Sequence, residues 1–326
     1  MMRNETKIIP IAGGKGGIGK SLIAANLSIA LAQLGHSTIV IDLDLGGSNL
    51  HLMLGLQNEN RGIGDYVHNP KLPFESLCVQ TEWPHLKFIP GDGTTPFLAN
   101  ISYAGKQNII KEIQNLSAEY IILDLGAGTS FNTLDFFQIV NRGILVTSGD
   151  RISLINMLSF LKNFLLRTID RTLPRNSKAR IQIQDIYSQS SNRAKVTINS
   201  VLNTIRSSDA EAANHISRLC KNIQPRIVYN MIHGLQELRL VNIINKSAKN
   251  ILSINPSHMG VVFVDQAVPD SIRNSVSLLR YDEKSIAAQC IFCLAGDITQ
   301  SWDEDLSEAD QVYIKKTTDL FNKFTE

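Results

Sequence analysis

Lys20 and Ser21 are the residues of this sequence best spaced for chemistry. They close the run Gly14-Lys15-Gly16-Gly17-Ile18-Gly19-Lys20-Ser21, which satisfies G-x-x-x-x-G-K-[ST]. A loop of small residues turns its backbone N–H groups inward, where they cradle phosphate oxygens. A helix opening at its end adds a positive N-terminus. A lysine in the place of Lys20 reaches β- and γ-phosphates, and a hydroxyl in the place of Ser21 suits Mg²⁺. Two further segments supply carboxylates. Ile39-Val40-Ile41-Asp42-Leu43-Asp44 puts two acids at i and i+2 on an extended segment, so both face one side. Tyr120-Ile121-Ile122-Leu123-Asp124 ends a third apolar run in an aspartate, a pattern suited to holding Mg²⁺ through water. Gly126 and Gly128 then free the next loop to respond to a γ-phosphate.

These residues need a scaffold that delivers them to one edge. The apolar runs Lys7–Ala12, Thr38–Asp42, Tyr120–Asp124, Gly143–Thr147, Arg226–Asn230 and Gly260–Val264 are short and β-branched, which predicts buried parallel strands. Between them Leu22–Leu34, Tyr103–Leu116, Ser153–Arg167 and Leu235–Lys249 have helical periodicity. Alternating strands and helices predict an α/β fold, a mainly parallel sheet between helices. Ligands of such sheets bind at the carboxyl ends of the strands, where the loop and the three aspartates fall. Pro10 is awkward inside the first strand, because it removes one ladder donor. Residues 168–224 are polar and helical, with Ala194–Ile205 and Asp209–Ile223 the clearest helices. They predict an α-helical insertion within one P-loop domain spanning 1–326, followed by a C-terminal helical tail over 301–326.

Composition excludes other classes. At 43% hydrophobic and 19% charged, the 326-residue chain is ordinary for a globular protein with a large core. A net charge of +2 implies no whole-chain polyanion partner. Four cysteines predict a reducing compartment without a disulfide framework. No uninterrupted apolar run approaches the roughly 18 residues of a membrane span, and a strand beginning at Lys7 leaves no signal peptide, so a cytoplasmic location is expected.

The motifs together resemble the MinD/ParA superfamily. Lys15-Gly16-Gly17-Ile18-Gly19-Lys20-Ser21 is similar to its deviant Walker A loop, with a second lysine inside. Asp42-Leu43-Asp44 with Asn49-Leu50 resembles its switch I, and Asp124-Leu125-Gly126-Ala127-Gly128 its switch II. Thr147-Ser148 resembles its Thr-Thr-Pro segment, with Gly149-Asp150 in place of the usual Pro-Glu. Within the group, the chain leans toward the MinD and FlhG/FleN branch. The resemblance implies an Mg²⁺-dependent ATPase whose nucleotide is held by Gly14, Lys15, Gly16, Gly17, Ile18, Gly19, Lys20, Ser21 and Leu22, with Asn49 near the phosphates. It implies that Asn230 and Asp265 lie on the base side and favour ATP, and that Ser21, Asp42 and Asp124 support Mg²⁺. Lys15 would reach across a two-fold axis to the partner's phosphates, and with Lys20 and Asp44, which would orient the attacking water, it completes the catalytic set. An ATP-dependent homodimer that changes partner and location on hydrolysis is the implied output, with a protein activator or cargo as partner in cell-pole, flagellar or division machinery.

Weaker signals remain. In the tail, Tyr313, Leu320, Phe321 and Phe324 share a helical face near Lys315, Lys316 and Lys323, a candidate peripheral-membrane contact; a helix docked on the body is the plainer expectation. Residues 167–224 carry ten Lys/Arg against four Asp/Glu, and ParA-like non-specific DNA binding is the runner-up function. Cys290 and Cys293 form a lone C-x-x-C. Cluster carriage is a third reading, behind a core-cysteine role.

Overall fold

The computed structural model describes residues 5–91, 101–188, 196–304 and 310–325. Its strands are β1 (Lys7–Ala12), β2 (Thr38–Leu43), β3 (Val79–Gln80), β4 (Leu86–Ile89), β5 (Tyr120–Leu125), β6 (Ile144–Ser148), β7 (Arg226–Ile232) and β8 (Ser257–Phe263). The helices that precede β6 are α1 (Lys20–Gln33), α2 (Leu50–Met53), α3 (Ile63–His68), α4 (Tyr103–Asn115) and α5 (Phe131–Phe137). Between β6 and β7 lie α6 (Arg151–Thr172), α7 (Lys178–Ser188), α8 (Ile198–Ser208) and α9 (Ala210–Asn222). Then follow α10 (Leu240–Ser247), α11 (Ala267–Arg273), α12 (Leu278–Tyr281), α13 (Ile286–Ser301) and α14 (Asp310–Thr325).

One eight-stranded sheet runs in the order β3-β4-β2-β5-β1-β6-β7-β8. Every pairing is parallel except β3 with β4. β2, β5 and β6 are buried along their whole length, which is why their sequences read as unbroken Val/Ile/Leu runs rather than alternating ones. The six expected strands are present. The short edge pair β3 and β4 was not foreseen. Pro10 is tolerated because β6 joins β1 only at Ile11 and Ala12, so its missing donor precedes the shared ladder.

Register decides what meets at the carboxyl edge. Asp42 of β2 lies opposite Asp124 of β5, and Ser148 of β6 opposite Asn230 of β7. β1 sits between β5 and β6, at the point where the strand order turns, and delivers the glycine-rich loop between those pairs. α1 is apolar on nearly all sides because it is buried on nearly all sides, from Leu22 to Ala32. Its one buried amide, Asn26, is satisfied by donating to Leu22 O at 2.9 Å and accepting from Leu279 N at 3.1 Å.

α6 is the one described helix long and apolar enough to cross a membrane by length and composition. Met157, Phe160, Leu161, Phe164, Leu165 and Ile169 on it are buried in the core, and Phe137 packs edge-on against both Phe160 and Phe164. The expected helix over 235–249 is instead a 3₁₀ turn (Leu235–Arg239), α10, and a π turn (Ala248–Leu252). Of the expected helix over 194–205, residues 194 and 195 lie outside the described residues, and α8 begins at Ile198.

α14 lies along β8, the far edge strand, and so covers it. Tyr313 is buried beside His258 and Tyr229, and Phe321 packs on Phe263 with ring centroids 4.9 Å apart. His258 is 4% exposed. Its Nδ1 meets Tyr229 Oη at 2.7 Å and its Nε2 meets Asn245 Oδ1 at 2.8 Å. Asn245 Oδ1 can only accept, so Nε2 carries the proton and Nδ1 accepts from Tyr229. Burial pushes the imidazole pKa down from 6.5 to about 4. The unfolded chain therefore binds the extra proton between those values, and stability falls as pH drops through that window. At about 1.4 kcal/mol per unit, the loss from this residue is roughly 3 kcal/mol between pH 7 and 4. Urea unfolding of wild type and His258→Gln across that range is expected to give converging stabilities as pH falls; parallel curves would refute the assignment.

Candidate nucleotide site

The loop between β1 and α1 is shaped by two close approaches. A Cβ on Gly14 would overlap the backbone of Asn156, where α6 passes under the loop. Gly19 caps α1 at φ 85°, in the left-handed region, and a Cβ there would strike the Asn230 amide. Asn230 donates from Nδ2 to Ile18 O at 2.8 Å, which pins the loop from β7. Gly16 and Gly17 have nothing above them, so the loop's outer side is open.

Lys20 lies at the start of α1 and is 7% exposed. Among the described residues no carboxylate stands within ion-pair distance of its ammonium group. A buried cation without a partner is costly unless an anion joins it, and the helix N-terminus beside it favours the same sign.

Three carboxylates gather on the other side. Asp42 Oδ2 accepts from Ser48 Oγ at 2.5 Å and from Leu50 N at 3.2 Å, and its Oδ1 accepts from Asp44 N at 3.0 Å. Ser21 bonds Asp124 through its hydroxyl, while Asp124 Oδ1 is buried without a hydrogen-bond partner among the described residues. Burial pushes the pKa values of Asp42 and Asp124 upward; the like charge of Asp42 raises that of Asp124 further, and the charge of Asp44 adds to the rise at Asp42. Burial also raises that of Asp44, against the pull of the Lys20 charge. A Cβ on Gly126 would come 2.9 Å from Asp44 Oδ1, and Gly128 N donates to Gly13 O at 3.2 Å. The loop after β5 thus touches both Asp44 and the glycine-rich loop.

Crowded carboxylates, a neighbouring hydroxyl and an orphaned oxygen fit a divalent cation better than they fit an empty site. Among the described residues no three His, Cys, Asp or Glu side chains form a complete ligand set. An ion here would complete its shell with water and phosphate, as Mg²⁺ does.

Lys15 is half-exposed at the mouth of the site, its Nζ 3.3 Å from Asp150 Oδ2. Asp150 is the N-cap of α6. It accepts from Ser153 N at 2.9 Å and from the Ser148 and Ser153 hydroxyls at 2.7 and 2.5 Å. The hydrogen bonds from Ser153, then from Ser148, hold it far below the usual carboxylate range. Asp150 was not among the residues expected at the site. Asp-x-x-Ser after an apolar run is a helix-start signal that could have placed it at the strand end.

Of the remaining expected residues, Asn49 is exposed, its amide donating to Gly47 O at 2.8 Å. Asp265 has both oxygens committed, one accepting from Ala267 N at 2.8 Å and the other from Ala287 N at 3.0 Å. It ties α11 to α13. Asn230 is 2% exposed beneath the loop. Cys290 is buried on α13 and Cys293 exposed. Burial pushes the Cys290 thiol up to about 12, away from the thiolate a cluster needs.

Residues 4–164 match the ParA family model described as NUBPL iron-transfer P-loop NTPase. The flagellum site-determining protein YlxH of Helicobacter pylori is 33% identical over 162 residues, 49% of this chain and 54% of that protein. The putative septum site-determining protein MinD of Tupiella akineta is 28% identical over 149 residues, 45% of this chain and 48% of that one. The chain thus spans about half the length of these curated relatives. The MinD of Pyrococcus horikoshii OT3, solved in complex with Mg-ADP, superposes with a TM-score of 0.58 at 18% identity, covering 90% of this chain and 96% of that one; this likeness shows the fold. The two-lysine loop on β1 and the aspartates at the ends of β2 and β5 fall within residues 4–164, the part of the chain that is similar to the ParA family of P-loop NTPases.

Proposed function

We propose that the chain is a slow Mg²⁺-dependent ATPase that dimerises around ATP and works as a positioning or assembly switch of the MinD/FlhG type. The observation that carries this reading is the buried Lys20, with no carboxylate at ion-pair distance among the described residues, beside three crowded carboxylates and a loop whose outer side is open. Lys20 and the loop N–H groups bind the β- and γ-phosphates. Ser21, Asp42 and Asp124 hold the metal's side of the site, and Ser48 keeps Asp42 oriented. Mg²⁺, when bound, neutralises charge on the β- and γ-oxygens. Asp44 orients the attacking water, and its raised pKa suits it to take a proton. Gly126 and Gly128 let the following loop register loss of the γ-phosphate and pass it to α5. Lys15 leaves Asp150 and meets the phosphates of the partner subunit.

The partner is a second copy of this chain, with a protein activator or cargo read from the dimer. The proposed location is the cytoplasm, with α14 docked on the body. Reversible membrane association would require Tyr313 and Phe321 to leave the body. DNA binding through 168–224 has less behind it. Arg167 and Arg171 converge on Asp135 and Arg180 pairs with Asp170, which makes compact clusters rather than a stripe that tracks a phosphate backbone. Iron-cluster transfer has less still, given the buried Cys290.

The purified chain is expected to release phosphate from ATP with Mg²⁺, below the roughly 1 s⁻¹ at which ordinary enzyme turnover begins, and to stop in EDTA. Absence of both turnover and nucleotide binding would refute the proposal.

A further inference from the structure

On the face formed by α4, α5 and α6, three cations share one anion. Asp135 is fully buried. Its Oδ2 pairs with Lys106 Nζ at 2.5 Å and accepts from Arg167 Nη2 at 2.9 Å, while Oδ1 accepts from Arg167 Nε at 2.5 Å and Arg171 Nη1 at 3.0 Å. Those hydrogen bonds outweigh burial and keep Asp135 below the usual carboxylate range, so the cluster retains two positive charges. The nearby Asp170 is taken by Arg180 at 2.8 Å.

Two large aromatics lie over the arginines and remain exposed, Phe131 at 68% and Tyr103 at 61%. The Arg167 guanidinium sits 4.2 Å from the Phe131 ring centroid. Arg171 lies 5.7 Å from that of Tyr103 and donates to its hydroxyl at 3.2 Å. Aromatics beside arginines already held in place are what binding hot spots are made of, because little side-chain entropy is left to lose.

We infer that the Phe131–Tyr103–Arg167–Arg171 surface docks an acidic peptide segment of another protein, its carboxylates on the two guanidiniums and an apolar side chain on Phe131. Charge complementarity chooses the occupant: two surplus charges match two carboxylates. A nucleic acid would need a longer run of cations along its backbone, and here the surplus charge is gathered on one buried carboxylate. The surface stands independently of the nucleotide reading. Its Phe131 opens α5, the helix that follows the Gly126–Gly128 loop, one residue after the Ser130 cap.

The test is fluorescence anisotropy of the full chain with a fluorescein-labelled peptide of paired glutamates flanked by leucines. Binding is expected to weaken about tenfold or more in Arg171→Gln, which leaves Asp135 paired to Lys106 and Arg167, and in Phe131→Ala, which alters an exposed position. Lys221→Gln on α9 is expected to bind as wild type. No peptide binding, or equal binding by all four proteins with matching thermal melts, would overturn the inference. So would duplex DNA that binds more tightly than the peptide and depends on the same residues; that result assigns the surface to nucleic acid. Failure here leaves ATP turnover untouched, so it is distinguishable from failure of the proposed ATPase.

Discussion

Replacing Asp44 by alanine is expected to cut ATP turnover by about a hundredfold or more while ATP binding persists and a dimer accumulates. The magnitude is what loss of a positioned general base costs. The direction of each part follows from where Asp44 sits. It is partly buried, close enough to Lys20 for that charge to lower its pKa, and abuts Gly126. Ser48 and Leu50 hold Asp42 rather than Asp44, so removing Asp44 leaves the metal side and the phosphate cradle intact. Phosphate release and equilibrium binding of a fluorescent ATP analogue measure the two halves separately. Turnover at the wild-type rate would move the water-positioning role to another residue.

Lys15→Ala is expected to abolish ATP-dependent dimerisation while the monomer remains folded. The Lys15 pair with Asp150 is half-exposed, and such pairs are worth about 0–1 kcal/mol. A partner's phosphates, with several negative charges, outcompete it easily. Asp150 therefore parks Lys15 without locking it. Removing the side chain costs the fold almost nothing, since Asp150 keeps its Ser148 and Ser153 bonds. Thermal melting checks the fold and size-exclusion chromatography with ATP checks the dimer. A dimer formed normally by Lys15→Ala would refute the trans role.

The parts of this account that were legible in the sequence are those fixed by short-range spacing. Gly14 to Ser21 announces itself because phosphate cradling needs consecutive small residues and then a lysine. Asp42 and Asp124 could be placed at strand ends from the apolar runs before them, and register then made them neighbours. What was not legible depends on distant partners. Asn230 and Asp265 could be assigned to the base side only by resemblance, and their packing partners lie far off or across a turn: Asn230 Nδ2 donates to Ile18 O, and Asp265 accepts from the amides of Ala267 and Ala287. β3 and β4 are too short to carry a periodic signal. The stretch 235–249 has helical periodicity, but the chain there divides into a 3₁₀ turn, α10 and a π turn. The face around Asp135 draws on three helices, so no single window of sequence reveals it.

The central claim is that two copies of this chain close around ATP. Sedimentation velocity of the Asp44→Ala protein with Mg²⁺ and either ATP or ADP tests it most directly. A doubling of mass with ATP, absent with ADP and absent when Lys15→Ala is added, is the predicted result. An unchanged mass with ATP, or a doubling that survives Lys15→Ala, would contradict it.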